Sequence, residues 1–325
     1  MRALVTGAAG FVGANLVREL LGAGHEPIAA VRPGGDRWRL DDLAGALPVL
    51  AVNLSEHEAV EQMVVDERPD IVFHLAAHGA YSWQRDFDAM LAVNVRATEA
   101  LLAGARRVDA RVVHSGSSSE YGHRSHAPSE LDRVEPNSHY AVTKAAATHL
   151  CRLASATHGQ SAVTLRLYSV YGPWEEPGRL MPTLVERGRA GCLPPLVAPD
   201  TARDFVWVGD VCDALLRAAH ADLPEPGAVF NVSSGTQTRL RELVDVARRV
   251  FAIEEEPAWG TMEARAWDTS TWFGDPTSAS EGLGWRASTP LEAGLRRLDD
   301  WFAERSDLVA RYASPAPEVT GDRRA

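Results

Sequence analysis

Short, nearly continuous apolar runs alternate along the first half of the chain with longer stretches in which apolar residues return every three or four positions. RALVT (2–6), PIAAV (27–31), PVLAV (48–52), IVFHL (71–75), RVVHS (111–115) and AVTLRL (162–167) have the length and β-branched content of strands covered on both faces. FVGANLVRELLGAG (11–24), residues 56–66 and 84–106, and SHYAVTKAAATHLCRLASATHG (138–159) carry the helical period between them. Such alternation builds βαβ units. The expected fold class is α/β, a doubly wound parallel sheet.

After residue 168 the regularity breaks. YGPWEEPGRLMP (171–182) and CLPPLVAPD (192–200) are rich in proline and glycine and read as loops around a short helix. FVWVGDVCDALLRAAH (205–220) returns to a strand or turn leading into a helix, and residues 230–250 read as a strand, a glycine turn and a capped helix. We expect residues 1–167 with 202–232 to form one domain and 168–201 with 233–312 a smaller interleaved lobe. The tail 313–325 has the composition of a disordered segment.

Composition narrows the function. The 325 residues are 45% hydrophobic and 24% charged, enough for a sizeable core. A net charge of −11 argues against nucleic acid as partner, since phosphate backbones demand a basic face. Cys151, Cys192 and Cys212 are odd in number and widely spaced, which suits a reducing cytoplasm and shows no metal-ligand spacing. No metal is expected. No apolar run approaches the ~20 residues of a membrane span. A glycine turn cuts the apolar N-terminus too early for a signal peptide.

That turn carries the first chemistry. VTGAAGFVGANL (5–16) sets Gly7, Gly10 and Gly13, with Phe11 and Val12 among them, between a strand and a helix. Glycines let the backbone approach a pyrophosphate, and the helix N-terminus supplies N–H groups and partial positive charge. The second strand ends in AAVRPGGDRWRL, with Arg32 where an NAD-binding chain usually places a carboxylate. A guanidinium there pairs with a 2′-phosphate. NADP(H) is the favoured cofactor and NAD the alternative, with Arg37 and Arg39 as other phosphate partners or plain loop charge.

HYAVTKAAA puts Tyr140 and Lys144 one turn apart on a helix face. A phenol near pKa 10 is a poor base at neutral pH. A lysine ammonium and a positive nicotinamide ring nearby favour the phenolate, which then exchanges a proton with an alcohol or ketone while hydride passes to or from the cofactor. HSGSSSEYG (114–122), after the strand RVVHS, supplies a serine for the reacting oxygen.

These segments together, with HLAA (74–77), NVRATEALL (94–102), VYGPW (170–174), ARDFVWVGDV (202–211), FNVSSG (230–235) and GLGWRASTPLEAGLRRLDDW (282–301), resemble the extended short-chain dehydrogenase/reductases, in particular the nucleotide-sugar epimerases, dehydratases and ketoreductases. The similarity runs from residue 1 to about 303. It implies a Rossmann NAD(P) domain with a C-terminal sugar-nucleotide lobe. It implies Ser117, Tyr140 and Lys144 as catalytic residues. Asn94 and Ser115 are implied to position the cofactor, Asn53 and Leu54 to contact adenine, and Leu75, Ala76, Ala77 and Tyr168 to contact the cofactor elsewhere. Arg203 is implied to bind the substrate diphosphate, and Arg265 and Asp268 to hold its nucleotide. Relatives commonly dimerise through helices matching 84–106 and 138–157, so a homodimer is expected.

Departures from the family pattern narrow the reaction. The dehydratases carry Asp-Glu after the catalytic Thr; here Ser118 and Ser119 stand there, and hydroxyls cannot serve as acid and base for elimination. Glu120 is one residue out of step and is recruited only if the segment turns. Ser169 replaces an asparagine that contacts substrate in many relatives. His139 is either a substrate contact or a helix-opening residue; His78 faces the expected sugar site. His74 reads as a satisfied strand residue. Three readings stand. The first is NADPH-dependent reduction of a 4-keto-6-deoxy sugar nucleotide. The second is 4-epimerisation with retained NAD. The third is a non-catalytic cofactor-binding protein.

Overall fold

The apolar runs become strands in the computed structural model, which describes residues 1–81, 83–263 and 268–313. They are β1 (Arg2–Thr6), β2 (Glu26–Val31), β3 (Val49–Ala51), β4 (Ile71–His74), β5 (Arg111–Ser117) and β6 (Ala162–Leu167). β7 (Ser169–Tyr171), β8 (Ala202–Arg203), β9 (Phe205–Trp207), β10 (Val229–Val232) and β11 (Thr238–Arg239) follow. Seven of them form one parallel sheet in the order β10-β6-β5-β4-β1-β2-β3. β7 pairs with β9, and β8 with β11, as two small separate ribbons.

The helices are α1 (Phe11–Gly22), α2 (His57–Glu67), α3 (Phe87–Met90), α4 (Ala97–Val108), α5 (His139–His158), α6 (Leu180–Arg189), α7 (Val208–His220), α8 (Leu240–Phe251), α9 (Thr277–Gly282), α10 (Leu291–Glu304) and α11 (Val309–Ala313). Successive strand residues face opposite sides, so Ala3 and Val5 join one apolar core while Leu4 joins the other. Leu16, Val17 and Leu20 of α1 and Val211 and Leu215 of α7 cover the first face. Val60 and Val64 of α2, Leu101 of α4 and Cys151 of α5 cover the second. This is the doubly wound architecture expected.

Strand order reverses between β1 and β4. Crevices at the carboxyl ends of strands beside such a reversal are where open α/β sheets take their ligands. The helix expected over 84–106 is not one α-helix. Between α3 and α4 lies a π-helical turn, Leu91–Arg96. The chain also keeps its order past residue 303: the buried Tyr312 of α11 donates from its hydroxyl to Glu175 O over 2.8 Å. The segment 314–325 lies outside the described residues.

Candidate active site

β1 stops at Thr6 because Gly7 turns the chain with φ 70°, which a side chain adopts only under strain. Gly10 N–H closes the turn on Gly7 O at 2.9 Å. A Cβ on Gly13 would sit 2.2 Å from Gly7 O, and one on Gly7 would sit 2.6 Å from Ala76 N. The glycines are therefore needed for backbone to meet backbone. α1 then opens from Gly10, which supplies no side-chain cap, and its first turn, Phe11, Val12 and Gly13, holds no acid. The positive end of this helix carries no anion of its own turn, which fits a dinucleotide pyrophosphate.

Arg32 is the residue after β2 and is exposed, as is Arg37. Arg39 is different. It is 6% exposed and bonds Trp174 O at 2.7 Å and Glu176 Oε2 at 2.6 Å, so it ties the first glycine turn region to the 174–176 segment and is not loop charge. Asn53 and Leu54 follow β3, half-buried; Asn53 Oδ1 accepts from Ser55 N at 3.1 Å.

Leu75 N donates to Thr6 O at 3.2 Å and Ala76 N to Thr6 Oγ1 at 3.4 Å, which seats residues 75–77 beside the glycine turn. Asn94 holds the next residue. Its Oδ1 accepts from His78 N, and its Nδ2 donates to His78 O, both at 2.8 Å; Nδ2 also donates to Thr143 Oγ1 at 2.9 Å. Asn94 sits in the π-helical turn, where Ala97 N–H reaches back to Ala92 O. His57 Nε2 also donates to Ala92 O, at 3.2 Å.

β5 ends at Ser117, and a 3₁₀ turn over Ser118–Tyr121 follows. Ser117 Oγ accepts from Ser119 N at 3.2 Å and shares a 2.7 Å hydrogen bond with Ser119 Oγ. Ser138 caps α5, its Oγ accepting from Ala141 N at 3.1 Å, and the helix carries Tyr140 close enough to Ser117 for the serine to act on the phenol. Burial pushes the Tyr140 phenol up to about 12, against the pull of Ser117. Lys144 does not figure among the groups that shift this phenol. Burial brings Lys144 down to about 8, opposed by Glu120, and its Nζ lies 3.2 Å from His114 Nε2.

Glu120 corrects a second expectation. The segment does turn, yet the carboxylate points inward: it is fully buried, accepts from Arg166 Nε at 2.9 Å and Thr148 Oγ1 at 3.0 Å, and its Oε1 accepts from Ser117 N at 2.8 Å. It is a strut under the site. Ser115 is buried and donates to His74 O at 3.2 Å. Ser118 lines a cleft with Tyr168, Arg124 and Trp272; the Tyr168 hydroxyl is buried there without a hydrogen-bond partner among the described residues.

Ser169 is half-buried, its N–H on Asp204 O at 2.9 Å. His139 opens α5, exposed, with its ring 4.4 Å from Phe87. Arg203 and Asp268 pair at 2.7 Å. Arg265 lies outside the described residues. His74 is satisfied, as expected, by Thr6 at 2.8 Å and Thr98 at 3.0 Å.

Three residues escaped the sequence reading. His114 looked like one more strand residue. Glu175, in a stretch read as loop, is buried with one carboxylate oxygen unpartnered among the described residues and the other 3.8 Å from Arg179. Tyr81 stacks on Trp83 at 4.6 Å, within reach of Arg179. Only the two adjacent acids of WEEP, surrounded by apolar residues, hinted at any of this.

Comparison with known proteins agrees with this geometry. The model of the NAD dependent epimerase/dehydratase family matches residues 3–233. A UDP-glucose 4-epimerase of Mycolicibacterium smegmatis is 32% identical, over 94% of this chain and 100% of its own. A dTDP-glucose 4,6-dehydratase of Xanthomonas campestris is 26% identical, over 94% of each. The structure of MoeE5 in complex with UDP-glucuronic acid and NAD superposes with a TM-score of 0.78 at 31% identity, over 94% of this chain and 100% of that one.

Proposed function

The chain belongs to the NAD-dependent epimerase/dehydratase family, and on that premise we propose that it is a nucleotide-sugar 4-epimerase that keeps its NAD between turnovers. One observation carries the choice within the family. Serines stand at 118 and 119, and the next acid along the chain, Glu120, is locked on Arg166. Elimination of water needs an acid and a base beyond the tyrosine. Epimerisation needs only the paired Ser117 and Tyr140 with Lys144 behind them.

NAD, when bound, would supply the acceptor and donor of hydride at C4 of the sugar. Gly7, Gly10 and Gly13 with the α1 N-terminus would hold its pyrophosphate; Asn53 and Leu54 would meet the adenine, and Leu75, Ala76, Ala77 and Ser115 would flank the remainder. Tyr140 as phenolate accepts the C4 hydroxyl proton and later gives it back. Ser117 donates to the oxygen that becomes a carbonyl. Asn94 fixes the 78 loop against α5, so the sugar side of the site keeps its shape. The lobe of residues 168–201 and 233–312 would take the sugar nucleotide, Arg203 its diphosphate and Asp268 its nucleoside. Val142 and Leu153, exposed apolar residues on α5, suit a homodimer formed through that helix.

The identity to the mycobacterial epimerase supports epimerisation over reduction, and the identity to MoeE5, whose structure holds NAD, supports NAD as the cofactor. A second reading, NADPH-dependent reduction of a 4-keto-6-deoxy sugar nucleotide, draws on the exposed Arg32 after β2. The test is direct. Protein denatured after purification should release NAD, and protein incubated with UDP-glucose or UDP-glucuronic acid should yield the C4 epimer by NMR. Release of NADP or of nothing, with NADPH consumed on a 4-keto sugar nucleotide, would replace epimerisation with reduction.

A further inference from the structure

β5 carries His114, fully buried, on the strand that ends at Ser117. A fully buried imidazole has to satisfy both nitrogens. One of them, Nε2, lies 3.2 Å from Lys144 Nζ; the other, Nδ1, lies 3.3 Å from Thr164 Oγ1. We propose that His114 is a positioning residue of the reaction centre: its bare Nε2 accepts a hydrogen bond from the Lys144 ammonium and holds that charge beneath Tyr140. This rests on the reading of Tyr140 and Lys144 as the proton-handling pair.

An ammonium only donates. A charged Lys144 therefore forces Nε2 to be the unprotonated nitrogen and puts the ring hydrogen on Nδ1, facing Thr164. The ring cannot escape this role by becoming a cation. Burial, with Lys144 and His74 beside it, holds His114 well below its ordinary range. The His74 ring lies 5.6 Å away, itself fixed by Thr6 and Thr98 and held down to about 3. The charged and titratable groups that act on the pair are Glu120, with its partner Arg166, from the turn after β5 and from β6; His74 from β4; and Cys151 from α5, while Tyr140 stands one helical turn before Lys144. Glu120 favours the ammonium by charge; His114 alone among the described side chains accepts directly from it in the hydrogen-bond network.

The test uses the holoenzyme, with His114→Phe and His114→Gln. Phenylalanine keeps a ring and removes the acceptor; the glutamine carbonyl restores an acceptor at the reach of Nε2. Without an acceptor the ammonium is less stable, so Lys144 loses its proton at lower pH. The alkaline limb of kcat/KM should move down by about one to two pH units in His114→Phe, the worth of one hydrogen bond to a charged group, and return towards wild type in His114→Gln. Limbs unchanged in both variants would reduce His114 to a packing residue. A second measurement needs no turnover. Nitrogen-15 histidine spectra of the wild-type protein, with His114 assigned from the variants, should show the Nδ1–H tautomer at neutral pH. The Nε2–H tautomer would overturn the proposal even if His114→Phe fails to fold. Absence of epimerase activity with a clear Nδ1–H signal would count against the assigned reaction and leave the His114–Lys144 bond standing.

Discussion

Arg166 Nε donates to Glu120 Oε2 over 2.9 Å, with side-chain exposures of 4% and 0%. The same carboxylate holds Ser117 N, and the same guanidinium donates to Tyr121 OH at 2.8 Å, which donates in turn to Asn231 Oδ1 at 2.8 Å. The pair thus fixes the backbone of the candidate catalytic serine to β6 and β10. Removing one partner strands a buried charge. Arg166→Met should cost about 3–5 kcal/mol of stability, read as a lower urea midpoint. A midpoint within error of wild type would show that Glu120 finds water or another cation.

Tyr140→Phe removes one hydroxyl from the proton path. It should lower kcat by about 100-fold or more while cofactor remains bound, as judged by the nucleotide released on denaturation. Ser117→Ala, which leaves the phenol in place, should fall less far. Near-normal turnover of Tyr140→Phe would take the tyrosine out of the chemistry.

Glu175 makes stability depend on pH. Burial pushes its carboxyl up to about 8 from an ordinary 4.5. The folded chain therefore holds a proton there that the unfolded chain has released. Stability from this group is complete below pH 4.5 and declines as pH rises towards 8. Asp204, raised to about 6 mainly by burial, adds to the same trend at the lower end of that window. Glu175→Gln keeps the shape and has no proton to lose. Its melting temperature should fall less between pH 5 and pH 8 than that of wild type. Parallel curves for the two proteins would mean that Glu175 is ionised when folded.

Arg32 tests the choice of cofactor. Arg32→Asp places a carboxylate where ribose hydroxyls are read and repels a 2′-phosphate. Affinity for NADPH should fall about 10- to 100-fold, with NADH unchanged or improved. An equal loss for both dinucleotides would mean that Arg32 supports the loop and reads neither ribose.

The sheet, the glycine turn and the Tyr140–Lys144 face were legible because each follows from local rules: the apolar period, a strand-to-helix glycine spacing, and two residues one helical turn apart. Ser117 was legible only through likeness to a family, since four serines crowd its stretch and no period tells them apart. What stayed hidden came from residues distant in sequence. Glu120 meets Arg166 across 46 positions, and His114 meets Lys144 across 30. Arg39 reads as loop charge until Trp174 and Glu176 arrive from 135 and 137 positions away. Burial raises the Tyr140 phenol, an effect of the whole fold that the spacing of Tyr140 and Lys144 does not show.

The π-helical turn at Leu91–Arg96 bears on how this chain tolerates insertions and deletions. A widened turn accommodates one residue more than an α-helical turn, so the helix surfaces before and after it are out of phase with each other. Upstream, Phe87 faces His139; downstream, Ala100 and Leu101 face the core beneath α2. Deleting one residue within 91–96 would regularise the helix and abolish the widened turn, leaving the flanking surfaces close to where they are. Asn94, placed by that turn, would move away from His78 and Thr143. A deletion scan should therefore find this turn as intolerant as the glycine loop, although most of its residues touch no ligand.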